Sequence, residues 1–136
     1  MEVQVTPYIM LDGGAREAIA FYEQALDAKV VFKQTFREAG QVVSEEERDR
    51  VAHSVLKIGG TDLLVADTDP GVRFAPGKQV NICITIADKE KAQKYYEALK
   101  EDGQVDHPLQ EVYFSPAYGM VTDKFGVTFQ IFTKRA

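Results

Sequence analysis

The sequence is poor in the residues that several functional classes require. Its 136 residues include no tryptophan, one cysteine and two histidines, and 16 lysines and arginines against 21 aspartates and glutamates. The formal net charge of −5 argues against nucleic-acid binding, because contacts to the phosphate backbone need clustered Lys and Arg. The same excess of negative charge disfavours binding to an anionic membrane surface. We therefore predict no nucleic-acid partner and no membrane partner.

The single cysteine and the lack of long apolar runs bear on compartment. Cys83 has no second cysteine with which to form an internal disulfide, and its apolar surroundings at 80–86 predict a small buried side chain. No apolar stretch approaches the roughly 20 residues that a membrane-spanning helix needs. The first four residues lack the basic and apolar regions of a signal peptide, so we expect a cytoplasmic protein.

Hydrophobic patterning divides the chain into two similar halves. Alternation of apolar residues predicts one strand over Val3–Leu11 and another over Val80–Ile86. A helix follows each strand. The first is predicted over Ala15–Leu26, and the second, capped by Asp88, is predicted to run to Lys100.

Matching segments indicate an internal duplication. Residues 18–23 of the first helix match residues 92–97 of the second, and residues 60–65 match residues 126–131 near the end of the chain. Two matches in the same order, with a strand before each helix, indicate a repeated unit. Two further strands fit into each half, over Lys29–Phe36 and Val51–Ile58 in the first, and near Gln104–Pro108 and Gln110–Thr122, broken around Pro116, in the second.

These elements predict an α+β fold of two tandem β-α-β-β-β modules within a single domain spanning residues 1–136. Module one covers about 1–68 and module two about 78–136. Residues 69–77 contain two prolines and two glycines and are expected to link the modules.

Four segments resemble the PhnB-like branch of the vicinal oxygen chelate (glyoxalase/bleomycin-resistance/dioxygenase) superfamily. They are residues 6–8, 18–23, 53–60 and 118–127, and the resemblance covers essentially the whole chain. The pattern Gly-x-x-x-Asp-Lys-Phe-Gly at 119–126 is its most specific part. The resemblance implies paired modules whose curved sheets form a cupped cavity. It does not fix a reaction, because superfamily members isomerise, open rings by oxidation, transfer thiols to epoxides or sequester a ligand.

The resemblance also implies four metal-ligand positions, near the first and last strand of each module. The closing pattern places one at Gln130, and the repeat places its equivalent at Leu64. The first strands offer Asn81 in module two and Thr6 or Tyr8 in module one. This set contains no imidazole and no carboxylate, so it brings no negative charge to a divalent ion. We expect no metal and no other cofactor.

Strand alternation assigns a mixed lining to the faces turned away from the helices. The candidate ligand-contacting residues are Tyr8, Met10, His53, Leu64, Asn81, Phe114 and Gln130. Neutral polar tips among apolar bodies suit an uncharged or aromatic small molecule. His53 is either a general base or a hydrogen-bonded sheet histidine. His107, beside Pro108, is expected to be exposed in a loop.

Three functions stay open on the sequence alone. The first is binding of a small organic molecule in the cup without metal. The second is a metal-dependent lyase, isomerase or dioxygenase-type enzyme with an atypical site. The third is a dimeric structural or regulatory module with a vestigial cavity. We expect a homodimer in any case, because superfamily members commonly pair modules and open edge strands invite pairing.

Overall fold

The element order is β-α-β-β-β twice over in the computed structural model, which describes residues 3–69, 75–77 and 79–135. This order confirms the predicted α+β fold of two tandem modules. The chain divides into two compact units, Met1–Ala75 and Pro76–Ala136. Most of the predicted linker, residues 69–77, lies outside the described residues, because 70–74 are not among them.

The first unit contains one helix and four strands. They are β1 (Tyr8–Leu11), α1 (Ala15–Ala25), β2 (Lys29–Thr35), β3 (Val51–Ile58) and β4 (Thr61–Asp67). The sheet order is β1-β4-β3-β2, with β1 and β4 parallel and the other neighbours antiparallel. The chain therefore has to cross from one edge of the sheet to the other, and α1 makes that connection.

The second unit repeats this arrangement. It contains β5 (Ile82–Ile86), α2 (Lys89–Leu99), β6 (Gln104–Val112), β7 (Ser115–Thr122) and β8 (Thr128–Thr133). The sheet order is β5-β8-β7-β6, again with its first and last strands parallel. Asp88 accepts a hydrogen bond from the Glu90 amide at 3.0 Å, which confirms the predicted cap of α2. None of the helices in the described residues is long and apolar enough to cross a membrane.

The duplication extends to the strand register. One row across the first sheet reads Tyr8, Leu64, Val55 and Phe32. The matching row across the second sheet reads Cys83, Gln130, Met120 and His107. Leu64 and Gln130 therefore occupy equivalent positions, as the sequence repeat indicated.

In each unit the helix packs on one face of its sheet. Buried positions on the helices are Ala15, Ala18, Ile19, Tyr22 and Ala25 in α1, and Ala92, Tyr95, Tyr96 and Leu99 in α2. Along β1, Ile9 and Leu11 are buried while Tyr8 and Met10 are each 43% exposed, so the strand turns its apolar side to the core. We call the opposite side of each sheet its helix-free face. It carries Tyr8, Met10, Phe32, His53, Val55 and Leu64 in the first unit, and Cys83, His107, Tyr118, Met120, Gln130 and Phe132 in the second.

The first strand of each unit is shorter than predicted. Val3 and Val5 are 84% and 92% exposed, and pairing with β4 begins only at Tyr8. Val80 is 85% exposed, and β5 begins two residues later. Alternation alone predicts both strands too long, because a strand also needs a neighbouring strand to which it can hydrogen bond. In the first unit, Pro7 has no amide hydrogen with which to make such a bond.

The break between β6 and β7 also lies elsewhere than predicted. The turn falls at residues 113–114, and Pro116 is the second residue of β7. The predicted segments Gln104–Pro108 and Gln110–Thr122 were therefore divided at the wrong point. β6 continues through Pro108 because it is an edge strand with irregular register there, where the missing amide hydrogen is tolerated.

Two side chains have different environments from those predicted. Cys83 is exposed rather than buried, because it lies on the helix-free face of the edge strand β5. His107 is half-buried in β6 rather than exposed in a loop. Both corrections place a reactive type of side chain on the helix-free face of the second sheet.

A buried carboxylate links separate segments of the first unit through hydrogen bonds. Asp67, 1% exposed at the end of β4, accepts hydrogen bonds from the backbone amides of Gly13 at 2.7 Å, Ala15 at 3.1 Å and Val51 at 3.0 Å. Gly14, the N-cap residue of α1, has no side chain with which to cap the helix, so Asp67 supplies the negative group that a helix N-terminus favours. One side chain thus fixes the β1–α1 turn and the start of β3.

Replacing Asp67 with asparagine is predicted to destabilise the first unit by about 2–4 kcal/mol, because the amide turns a donor toward buried backbone donors. Chemical denaturation followed by circular dichroism measures the free energy of unfolding. Asp69→Asn, at an exposed position two residues further on, is the matched control and should change it little. Equal destabilisation by the two variants would contradict this account of Asp67.

Candidate functional site

The first unit brings Tyr8 and His53 together on its helix-free face. The Tyr8 hydroxyl lies 2.8 Å from His53 Nδ1. The Phe32 ring lies 5.9 Å from the imidazole, centroid to centroid, and Leu64 is opposite Tyr8 on β4. Burial, with a smaller effect from the charge of Asp69, raises the pKa of Tyr8 above its ordinary value of 10.0. The phenol is therefore neutral near pH 7.

The second unit contains a chain of hydrogen bonds between neutral side chains. The Tyr118 hydroxyl donates to Gln130 Oε1 at 2.7 Å, and Gln130 Nε2 donates to Asn81 Oδ1 at 2.8 Å. Both ends of the Gln130 amide are thus engaged, which fixes its orientation. Burial, and to a smaller extent the nearby Cys83, raises the pKa of Tyr118 and keeps its hydroxyl protonated near pH 7.

Aromatic rings adjoin this hydrogen-bonded chain. Phe114 meets Tyr118 edge to face at 4.9 Å between centroids and stacks on Phe132 at 6.0 Å with an interplanar angle of 9°. We call Phe114, Tyr118 and Phe132 the aromatic platform. Phe114 is 41% exposed, so the platform offers apolar ring surface beside neutral hydrogen-bonding groups.

The seven residues proposed from the sequence fall into two groups, one in each unit. Tyr8, Met10, His53 and Leu64 lie on the first sheet, while Asn81, Phe114 and Gln130 lie in the second unit. Their role in binding stays a prediction. Two neighbours were missing from the set, Tyr118 and His107, although Tyr118 is in phase with Gln130 through its register partner Phe132. Correct placement of the β6–β7 turn would have revealed both.

The residues at the implied ligand positions do not fit a divalent metal ion. Leu64 has no donor atom, and Gln130 Oε1 already accepts the Tyr118 proton. Asn81 Oδ1 accepts from the Gln130 amide, so the set is neutral and bonded to itself. Strand register also makes Cys83, not Asn81, the counterpart of Tyr8. Within the described residues, no three His, Cys, Asp or Glu side chains are grouped to hold a metal.

Two β-α-β-β-β units with parallel first and last strands define a protein of the vicinal oxygen chelate type. A family model described as 3-demethylubiquinone-9 3-methyltransferase matches residues 3–132. The chain belongs to this family, the PhnB-like branch of the superfamily, which confirms the resemblance seen in the sequence.

Known proteins of similar sequence or structure support this assignment. The chain is 25% identical over 137 residues to protein YjdN of Escherichia coli K12, covering 93% of this chain and 92% of YjdN. The crystal structure of protein PA1353 from Pseudomonas aeruginosa superposes with a TM-score of 0.92 at 27% identity, covering 99% of this chain and 100% of that one. The PhnB protein from Bacillus cereus has the same fold, with a TM-score of 0.77 at 23% identity and coverage of 96% and 99%.

The donor chemistry predicts that the purified protein holds no stoichiometric divalent ion. Native mass spectrometry and elemental analysis, after incubation with Zn²⁺, Ni²⁺, Mn²⁺ or Fe²⁺ and removal of excess ion, measure occupancy directly. One tightly held ion per chain, lost on replacing Gln130 with leucine, would show that these neutral donors do form a metal site.

Proposed function

We propose that this protein binds a small, uncharged organic molecule on its helix-free sheet faces without a metal ion. The observation that carries the proposal is the pairing of neutral polar side chains with one another on these faces. Tyr8 bonds to His53 in the first unit, and Tyr118 bonds to Gln130 in the second. Aromatic or aliphatic side chains surround both groups.

Neutral, prearranged polar groups favour an uncharged ligand for a physical reason. A charged ligand loses its hydration on such a surface, while the charges of Lys57 and Asp62 on the same face of the first sheet already neutralise each other at 2.9 Å. An uncharged aromatic molecule loses little hydration, gains ring contacts with Phe114 and finds directional hydrogen-bonding groups nearby. Because Gln130 is already held by two partners, little side-chain freedom is lost when a ligand binds.

Binding accounts for these features better than the methyl transfer named in the family model's description. Nucleoside-containing cofactors, the class to which a methyl donor belongs, commonly bind where a run of parallel strands ends beside a glycine-rich turn and a helix N-terminus. Here each described sheet has one parallel pair, and its other neighbours are antiparallel. We therefore infer the fold from the family and the activity from the side chains on the helix-free faces.

A single substitution tests the role of the amide chain. Gln130→Leu should keep the fold but weaken binding of 4-nitroanisole, an uncharged aromatic probe, by about 1 kcal/mol, or roughly fivefold, because the oxygen atoms of the probe lose the Gln130 N–H that Asn81 does not use. Equilibrium dialysis measures the affinity. Gln93→Leu, on the exposed side of α2, is the matched control. The proposal fails if the probe binds neither wild type nor control, or if Gln130→Leu has no more effect than the control.

Exposed apolar residues on the sheet edges support a homodimer, which we propose together with a cytoplasmic location. In the edge strand β2, Val31 is 62% and Phe32 45% exposed, and in β6 Val105 is 42% exposed. Open edges with apolar side chains invite pairing with a second copy. Light scattering should give twice the chain mass of 15.2 kDa, and Val31→Lys should shift the protein toward monomer. A monomer mass for the wild type at high concentration would rule the dimer out.

A further inference from the structure

His107 lies beside the aromatic platform of the second unit. It pairs with Met120 in the strand register, and Met120 pairs in turn with Gln130. Its ring meets Tyr118 edge to face, with centroids 5.3 Å apart and planes at 70°. The imidazole is half-buried on the edge strand β6, so it is both ordered by its neighbours and open to a ligand.

The backbone fixes which ring nitrogen of His107 carries the proton. His107 Nδ1 lies 2.9 Å from the carbonyl oxygen of Pro108, and a carbonyl oxygen only accepts hydrogen bonds. In the neutral imidazole Nδ1 is therefore the donor, and Nε2 is left with a lone pair. Nε2 makes no hydrogen bond within the described residues. His53 differs, because its partner, the Tyr8 hydroxyl, can donate or accept.

The side-chain acceptors of Gln130 and Asn81 in the second unit already have donors. The Tyr118 hydroxyl gives its proton to Gln130, and Gln130 gives an amide proton to Asn81. The lone pair on His107 Nε2 is thus an acceptor that needs a donor, and the His107 ring contacts the half-buried ring of Tyr118, which in turn contacts the exposed ring of Phe114. An acceptor beside an aromatic surface is complementary to an aromatic ring that bears a hydroxyl group.

We propose that the second unit recognises a phenol, with the phenolic hydroxyl donating to His107 Nε2 and the ring lying against the aromatic platform. This inference rests on the proposed function, since it names the class of ligand that binds there. His107 acts in it as a specificity-determining residue. It selects the hydroxylated molecule over the same molecule with its hydroxyl blocked.

A matched pair of probes tests the selection. At about pH 8, where an ordinary imidazole is neutral and 4-methylphenol is not ionised, wild-type protein should bind 4-methylphenol about three- to tenfold more tightly than 4-methylanisole, because one net hydrogen bond is gained. His107→Leu should bring this ratio close to one while 4-methylanisole still binds. Gln104→Leu, an exposed position on the same strand, should keep the wild-type ratio.

Three outcomes distinguish failure of this inference from failure of the proposed function. If both probes bind wild type equally, or if His107→Leu keeps the ratio, the phenol assignment is overturned and binding of uncharged aromatics stands. If neither probe binds, both proposals are overturned. Long-range ¹H–¹⁵N correlation spectra of the wild-type imidazoles need no variant. They should show the proton of neutral His107 on Nδ1, and a proton on Nε2 instead would remove the basis of the inference.

Discussion

The parallel pairing of the first and last strand in each unit is the constraint on which the rest of the structure depends. Parallel strands cannot be joined by a tight turn, so the chain has to leave the sheet and return through a helix. That helix covers one face of the sheet and takes up its apolar side chains. The other face is not covered by the helix. Every candidate site residue in β1, β3, β4 or β8 lies on this face.

The repeated strand register allows the side chains on the two helix-free faces to be compared position by position. Equivalent rows of the two sheets hold Tyr8 and Leu64 in one case and Cys83 and Gln130 in the other. The duplicated backbone has therefore been kept while the side chains on the helix-free faces have diverged. Leucine at one equivalent position and a doubly bonded glutamine at the other remove the charged donors that a metal-based activity of this fold would use.

Much of the fold could be predicted from residue patterns, because burial on one face imposes alternation. β3 has the predicted bounds, and Asp88 caps α2 as expected. The predictions of the strands failed where the hydrophobic pattern and the hydrogen-bonded pairing of strands disagree. Val3 and Val5 continue the alternation without a ladder partner, and Pro108 lies inside an edge strand that tolerates it.

The site could be predicted only in part, since its residues are joined by contacts between distant segments. Alternation placed Tyr8 and His53 on one face, but it gave no sign that the hydroxyl and the imidazole are in hydrogen-bonding contact across 45 positions. The role of Tyr118 depends on an amide orientation that no local pattern encodes. A neighbouring proline is a strong turn signal and predicts a loop at His107, but the pairing of the edge strand β6 outweighs it.

The most direct test of ligand binding on the helix-free faces is methyl NMR of the protein titrated with 4-nitroanisole. The ε-methyl groups of Met10 and Met120 report on these faces, whereas the methyl groups of Ile19 and Leu99 report on the helix layer. Progressive shifts at Met10 or Met120, with little change at Ile19 and Leu99, are the predicted result. Shifts confined to the helix-layer methyl groups, or no shifts at any of the four, would contradict the account.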